Sequence, residues 1–171
     1  LAADMYDLAT DMLANAGLAQ YEISNWAKPG LECRHNLQYW RNLPYPGVGP
    51  GAHGYANGVR YSTILSPQRY IKAMNGVTKD YEFPRTPATD QATIVDRESE
   101  IAETLIMGLR LTQEGINRET FKQRFGADLL DVHPEVIKRY SEHGLLYVDE
   151  QVVKITQQGR LLSNMIFRDL V

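Results

Sequence analysis

The chain has 171 residues, enough for one domain or two small ones, since single domains usually have about 100–200 residues. Hydrophobic residues make up 43% of it and charged residues 23%, a balance that excludes the disordered and fibrous classes of protein. The formal net charge of −3 provides no positive field to attract phosphate backbones, so nucleic acid is not an expected partner.

The residue types present exclude several further features. Cys33 is the only cysteine, so the chain can form no internal disulfide, no cysteine-rich zinc site and no iron–sulfur cluster held by several of its own thiolates. No apolar run approaches the roughly 20 residues that span a bilayer, and the chain opens with Asp4 and Asp7 rather than with a basic signal sequence. A cytoplasmic setting is therefore expected.

The first 23 residues predict a helix followed by a strand. Residues 3–16 have helical periodicity and end at Gly17, which suits a left-handed cap, and residues 18–23 have the length of a short strand. This order is typical of barrels and of doubly wound sheets. The apolar stripe of the helix begins in its first turn, which indicates a fragment that starts within a fold. The stripe consists of Met5, Leu8, Ala9, Met12 and Leu13.

The segment 24–61 is rich in glycine, proline and asparagine and predicts an ordered, functional loop with too many breakers for a regular helix. Ser66 and Pro67 then begin a short helix that ends near Gly76 and is expected to bury Tyr70, Ile71 and Met74. Their positions suit an N-cap and a first helical residue. Residues 77–95 lack periodicity, which favours a connection and a domain boundary near residue 95.

Beyond that boundary, the pattern predicts three helices, a β-hairpin and a last helix. The helices cover 96–109, 117–125 and 134–143, the strands 145–148 and 152–155, and the last helix 156–169. Three helices followed by a hairpin is the winged-helix order, which raises the alternative of a nucleic-acid-binding module. Ten basic against twelve acidic residues in 97–171 favour packing or partner docking instead.

Residues 33–40 place a thiol, an imidazole, an amide and two aromatic rings close together. An imidazole such as that of His35 is a good ligand for haem iron, and Tyr39 and Trp40 could stack on a porphyrin. The alternative is structural: both rings anchor a loop and His35 donates a hydrogen bond. His133 and His143 lack metal-ligand spacing and are expected to be surface or capping residues.

Two more segments have a functional and a structural interpretation. Gly47, Gly49 and Gly51, followed by His53, leave backbone free to approach a ligand, although neither a Walker loop nor a dinucleotide fingerprint is present. Tight packing is the alternative for these glycines. Glu22 lies at the end of a predicted strand, where barrel active sites are built, but it could equally be a strand residue in an ion pair.

Residues 20–27 (QYEISNWA), 33–40 (CRHNLQYW) and 47–54 (GVGPGAHG) together resemble the oxygen-independent coproporphyrinogen III oxidase-like family of radical-SAM proteins in both order and spacing. The resemblance spans essentially the whole chain and is most specific in 20–61. It implies a partial (β/α) barrel that holds a [4Fe-4S] cluster and S-adenosylmethionine, followed by a smaller C-terminal domain.

The fold implied for this chain is α/β plus α+β, with the last barrel segment in 1–95 and a winged-helix-like domain in 96–171. The cluster-binding three-cysteine motif of the family has no match here. The chain alone is therefore not expected to catalyse radical chemistry or to hold a cofactor tightly, and no catalytic residue is assigned to it. Whether the full-length parent acts as an enzyme is left open.

Carried over residue by residue, the resemblance places Asn25, Trp26 and Ala27 at the S-adenosylmethionine pocket, with the segment from Gly47 to His53 close by. The pattern His35-Asn36-x-x-Tyr39-Trp40 resembles the haem chaperone branch. His35 is then the leading candidate ligand of haem iron, and the Cys33 thiolate is an alternative.

These correspondences predict haem binding and delivery. The expected partners are haem or a porphyrin, a haem-accepting protein and a second copy of the chain in a homodimer. The alternative is a true oxidase that decarboxylates two propionates.

Overall fold

The computed structural model describes residues 1–76 and 80–170. It divides into two compact units, one formed by Leu1–Arg41 with Ile101–Val171 and the other by Asn42–Glu100. The domains predicted from the sequence, 1–95 and 96–171, stay a prediction. The two units group residues by how closely they pack in space, and this grouping does not test where one domain ends along the chain and the next begins.

Helices and short antiparallel strands alternate along the described chain. The helices are α1 (Ala2–Asn15), α2 (Arg34–Trp40), α3 (Pro67–Asn75), α4 (Arg97–Gly108), α5 (Arg118–Phe125), α6 (Leu129–Val132), α7 (Pro134–Glu142), α8 (Gln157–Arg160) and α9 (Ser163–Arg168). The strands are β1 (Ala19–Glu22), β2 (Asn25–Ala27), β3 (His53–Ala56), β4 (Val59–Thr63), β5 (Thr89–Ile94), β6 (Ile116–Asn117), β7 (Leu146–Val148) and β8 (Val152–Ile155). The mixed α/β content agrees with the predicted class.

The larger unit contains the main hydrophobic core. It has two antiparallel sheets, β1–β2 and β6–β8–β7. Each core side chain removed from water contributes roughly 1.5–3 kcal/mol of hydrophobic free energy. The members that are at most 2% exposed are Leu105, Leu109, Phe121, Phe125, Leu129, Val153, Ile155, Ile166 and Leu170. They come from both sheet and helix elements between α4 and the end of the described chain, so this part of the unit is held by one continuous core.

The smaller unit is built on the antiparallel sheet β3–β4–β5. Burial alternates along β4, where Val59, Tyr61 and Thr63 point into the unit and the residues between them are half-exposed. This period of two is what a strand with one packed face requires. The edge strand β5 is exposed along most of its length.

Capping residues mark both ends of α5. The Asn117 side chain accepts a hydrogen bond from the Thr120 backbone N–H at 2.8 Å and so begins α5. Gly126 ends that helix with a φ of 69°, a left-handed conformation that glycine adopts without steric cost. The predicted helix 3–16 is confirmed as α1, and the predicted β-hairpin as β7 and β8.

Three predictions about the first 95 residues are wrong. The segment 24–61 is not irregular throughout, because it contains β2, α2, β3 and most of β4, and its glycines and prolines lie mainly between these elements, with Gly54 inside β3. The predicted connection 77–95 contains the strand β5. Most of β5 is exposed and polar, so its sequence lacks the alternation of apolar and polar residues that marks a half-buried strand. In α3, Ile71 is 57% and Met74 37% exposed, so the expected buried stripe is absent from that described helix.

Two predicted elements also differ in their geometry. Strand β1 pairs antiparallel with β2 rather than in the parallel arrangement of an αβ unit, because only Ile23 and Ser24 separate the two strands. The helix expected over 156–169 is interrupted at Leu162, where φ is −109°. The interruption lets Ser163, Ile166 and Phe167 of α9 face the core.

Helix α1 exposes its apolar stripe. Met5, Leu8 and Met12 are 62%, 60% and 63% exposed. Within residues 1–76 and 80–170, no helix combines the length and the apolar character needed to cross a membrane.

Gly159 allows α8 to pack against the strand region, and we expect Gly159→Ala to destabilise the protein. An added Cβ would overlap the backbone carbonyl oxygen of Leu145 and would lie 2.8 Å from the Ile155 Cγ1 atom. The free energy of unfolding, measured by urea denaturation, should fall by about 1–3 kcal/mol. Gln158→Ala, an exposed change in the same helix, is the control and should shift it by less than about 0.5 kcal/mol. Equal values for the two variants would contradict the packing.

The pair Arg118–Asp128 makes stability depend on pH. Asp128 accepts from Arg118 at 2.9 and 3.2 Å and caps α6 by accepting from the Leu130 N–H at 3.0 Å. The Arg118 hydrogen bond, followed by that of Leu130, lowers the pKa of Asp128. The stabilisation is therefore complete above the unfolded pKa of about 3.9 and is lost as the pH falls through the lower folded pKa.

Accordingly, Asp128→Asn should lower the free energy of unfolding by about 1 kcal/mol at pH 7. The difference from the wild type should shrink as the pH falls below about 3.9. Urea denaturation at a series of pH values measures both effects. Asp131→Asn is the control, since it removes a negative charge from the same turn. In this variant the free energy of unfolding should still fall at acid pH as it does in the wild type. If both variants change the profile alike, local charge rather than the ion pair is responsible.

Candidate functional site

In the β1–β2 hairpin, the buried carboxylate of Glu22 contacts the side-chain amide of Asn25, a candidate ligand-binding residue. Glu22 is fully buried, and its Oε1 atom accepts a hydrogen bond from the side chain of Asn25, which is exposed. Its Oε2 atom has no hydrogen-bond partner among the described residues. The ion pair considered for Glu22 is thus not seen in this part of the chain, and the carboxylate instead orients Asn25.

A polar cluster supports this hairpin from α1 and α8. The Tyr6 hydroxyl donates to the Ile23 carbonyl at 3.0 Å, and the Gln20 amide donates to the same oxygen at 2.8 Å. The Arg160 guanidinium donates to Gln20 Oε1 at 2.5 Å. Burial lowers the pKa of Arg160 below its ordinary value, yet arginine remains a cation in proteins. These bonds fix the conformation of the turn that carries Asn25.

Trp26 lies half-buried on β2, opposite Gln20 in the register. Its ring centroid is 6.1 Å from that of Tyr6, with a tilt of 57° between the rings. The indole Nε1 atom is buried without a hydrogen-bond partner in the described part of the chain. Trp26 is therefore packed against α1, and the neighbouring Ala27 is also half-buried.

Helix α2 separates its four candidate residues into two pairs. His35 and Tyr39 are one turn apart and share a face, and their rings meet edge to face at a centroid distance of 4.7 Å. Asn36 and Trp40, also one turn apart, share the adjacent face. His35 is exposed, whereas Asn36, Tyr39 and Trp40 are half-buried. The helix thus presents an imidazole to solvent from its first turn.

The Asn36–Trp40 face of α2 is packed onto the body of the unit. Asn36 donates to the Tyr21 hydroxyl at 3.3 Å. Arg110 lies over the Trp40 ring at 4.7 Å from its centroid, and the Trp40 Nε1 atom is buried without a partner in the described residues. One face of Trp40 is therefore covered by a cation, which limits the porphyrin stacking expected of this ring.

Arg41, the residue after α2, is neutralised by an acidic side chain. Its guanidinium donates to both carboxylate oxygens of Glu114 at distances from 2.7 to 3.2 Å. This hydrogen-bonded contact raises the pKa of Arg41. Because both side chains are over two-fifths exposed, the pair stabilises the fold by less than about 1 kcal/mol.

In the smaller unit, the glycine-rich segment uses its backbone N–H groups internally. Gly47 N–H donates to the Tyr61 hydroxyl at 2.9 Å, Gly51 N–H to the Ile64 carbonyl at 3.0 Å, and Ala52 N–H to Thr63 Oγ1 at 2.9 Å. A Cβ on Gly47 would overlap the His53 carbonyl. These contacts support the packing interpretation, and a ligand-binding role for the glycines and His53 stays a prediction.

The predicted site residues fall into the two units. Residues Asn25, Trp26, Ala27, His35, Asn36, Tyr39 and Trp40 belong to the larger one, where Tyr21 connects the hairpin to α2. Residues Gly47, Gly49, Gly51 and His53 belong to the smaller one. The sequence did not predict three residues that contact the site, namely Tyr6, Arg110 and Arg160. No local pattern of residues shows that a cation or hydroxyl far away in the sequence will reach α2 or the hairpin.

The donor atoms of the described chain do not form a metal centre of their own. In residues 1–76 and 80–170, no group of three or more His, Cys, Asp or Glu side chains is arranged to hold a metal ion. Cys33, immediately before α2, is a free and exposed thiol. With one cysteine, the residues present do not fit a [4Fe-4S] cluster.

Comparison with known proteins identifies the relatives of this chain. Residues 95–162 match the family described as HemN C-terminal domain. The chain is 37% identical over 165 residues to the heme chaperone HemW of Bacillus subtilis and 34% identical to that of Lactococcus lactis, covering 96% of this chain and 41% of each relative. It is 31% identical to the mitochondrial radical S-adenosyl methionine domain-containing protein 1 of Bos taurus, of which 39% is covered.

A solved structure supports the same grouping at the level of the fold. The coproporphyrinogen III oxidase HemN of Escherichia coli, described as a radical SAM enzyme, superposes with a TM-score of 0.67 at 16% identity, over 98% of this chain and 40% of that one. The chain spans about two fifths of the length of the relatives it matches. The predicted recognition is therefore confirmed: residues 95–162 belong to the HemN C-terminal domain family, and the chain as a whole is similar to the corresponding part of the heme chaperones HemW and shares the fold of HemN.

Proposed function

We propose that this chain supplies the haem-binding helix of a haem chaperone, with His35 as the axial ligand of the iron. The observation that carries the proposal is the exposed imidazole of His35 in the first turn of α2. Within residues 1–76 and 80–170, its ring makes an edge contact with Tyr39 and no hydrogen bond. Both ring nitrogens are thus left for a ligand, and neutral imidazole is a good ligand for haem iron.

The Tyr39 ring beside His35 is the kind of aromatic neighbour against which a flat, largely apolar ligand packs. The edge contact with Tyr39 restricts the rotation of the imidazole, which lowers the entropy lost when a ligand binds. The structural alternative, in which His35 donates a stabilising hydrogen bond, has no support among the described contacts. The Cys33 thiol, two residues earlier and also exposed, is the competing iron ligand.

The cofactors of the full-length parent are part of this proposal. S-adenosylmethionine and a [4Fe-4S] cluster would generate a radical when bound, but a single cysteine means that the cluster ligands come from outside this chain. The exposed Asn25 amide, held by Glu22, is the side chain here best placed to meet the sulfonium cofactor. The chain by itself is then a binding element and not an enzyme.

The finer architecture is also proposed. We assign β1 and α1 to the end of a partial (β/α) barrel and the sheet β6–β8–β7 with α5 to α7 to a winged-helix-like domain. The sheet order, with β8 between β6 and the hairpin partner β7, supports the second assignment. The near balance of charges in 97–171 supports docking of a protein rather than of nucleic acid.

The remaining partners follow from the same proposal. A chaperone delivers its haem to an acceptor protein, and the exposed apolar stripe of α1 is a surface through which copies of the chain could pair. The cytoplasmic setting stays a prediction. Oxidase activity of the parent is the second candidate, supported by the fold that it shares with HemN.

Titration of the chain with hemin tests the proposal. The wild type should show a Soret shift that saturates at one equivalent, and His35→Ala should lose this shift because the axial ligand is gone. His143→Ala is the matched control, since His143 is also exposed but lies in the turn after α7, and it should bind as the wild type does.

A further variant separates the two candidate ligands. Cys33→Ser should leave the Soret maximum where it is if His35 is the ligand, and should shift or abolish it if the thiolate is. Equal curves for the wild type and His35→Ala would overturn the assignment of His35.

A further inference from the structure

Arg110 is a cation that lies close to two aromatic rings, one of them on α2. The centre of its guanidinium lies 4.7 Å from the Trp40 ring centroid and 5.8 Å from that of Phe167. Its backbone is fixed as well, since its carbonyl accepts from the Ile23 N–H at 3.0 Å and its N–H donates to the Met107 carbonyl at 3.1 Å. Arg110 is thus preorganised by both its backbone and its side chain.

The charge of Arg110 is not neutralised within the described residues. No carboxylate of residues 1–76 and 80–170 pairs with it, and its buried Nε atom has no hydrogen-bond partner. Other arginines of the same unit differ in this respect: Arg41 pairs with Glu114, Arg118 with Asp128 and Arg139 with Asp169. The two rings attract the cation but offer no acceptor for its N–H groups, so the hydrogen-bonding capacity of the Arg110 guanidinium is unused within the described residues.

A carboxylate is the group that such an arginine binds best. The planar guanidinium matches the two oxygens of a carboxylate, and its stacked rings reduce the competition from water. Arg110 keeps part of its surface exposed, so an anion can reach it. The site therefore selects a carboxylate that approaches the Trp40 side of α2.

Haem carries two such groups on one edge of its ring. His35 and Trp40 are five residues apart on α2, which is about 7.5 Å along the helix axis. The two positions are also about 140° apart around the axis, so a porphyrin whose iron binds His35 has to lie across α2 toward its C-terminal end for one of its edges to reach Arg110. We infer that Arg110 binds a propionate of the haem, an assignment that rests on the proposed role of His35. The amino-acid carboxylate of S-adenosylmethionine has the same chemistry and is the competing source.

The test compares hemin with hemin dimethyl ester, in which both propionates are uncharged. Arg110→Gln should weaken the binding of hemin about 10- to 100-fold, the usual effect of a lost charged hydrogen bond. The Soret maximum should not move, because His35 still binds the iron. Toward the ester, wild type and Arg110→Gln should have the same affinity.

Arg41→Gln is the matched control. It removes a positive charge next to Trp40, but that charge is already paired with Glu114, so the affinity for hemin should stay within about twofold of the wild type. Arg110→Lys keeps the charge and loses the planar fork, and its affinity should fall between the wild type and Arg110→Gln.

The outcomes separate this inference from the proposed function. A wild type that fails to bind hemin saturably overturns both. Binding by the wild type together with an unchanged Arg110→Gln, or with equal losses for hemin and the ester, overturns the role of Arg110 alone and leaves that of His35. If Arg110→Gln does not fold, the comparison of the two ligands on the wild type still tests the propionate contact. The wild type should bind the ester at least tenfold more weakly than hemin.

Discussion

The larger unit depends on the backbone hydrogen bonds that join β1 to the segment after α4. The Ile23 N–H donates to the Arg110 carbonyl at 3.0 Å, and the Thr112 N–H donates to the Tyr21 carbonyl at 3.1 Å. The Thr112 hydroxyl adds a buried bond to the Gln20 carbonyl at 2.8 Å. Because these groups are shielded from water, leaving them unpaired would be costly, so the two parts of the chain are held together.

This connection decides what surrounds α2. It fixes Arg110 beside β1, and from there the guanidinium reaches the ring of Trp40. Asn36 and Trp40 are thereby turned toward the unit, which leaves the His35–Tyr39 face of the helix outward. The proposed iron ligand and the proposed carboxylate-binding residue thus share one structural support. A change in that support would alter both.

The smaller unit shows how a motif that looks suited to a ligand can also serve packing. Gly47 and Gly54 each lie where a Cβ would overlap another group, the His53 carbonyl in the first case and the Tyr61 ring in the second. The hydroxyl of Tyr61 also accepts from Gly47. A close approach between two parts of the same chain requires glycine as strictly as the approach of a ligand does. Sequence alone does not separate these two demands.

The sequence by itself determined several helix limits, the β7–β8 hairpin and the resemblance to the family. Capping residues such as Asn117 and Gly126 mark helix ends through bonds within a few residues, and the spacing of the motif around His35 is a property of the chain alone. Only the tertiary structure decided that 24–61 contains regular elements, that Glu22 is buried without an ion pair in the described chain, and that Arg110 stacks on Trp40. These features depend on contacts between residues far apart in the sequence, which no local pattern of residue types encodes.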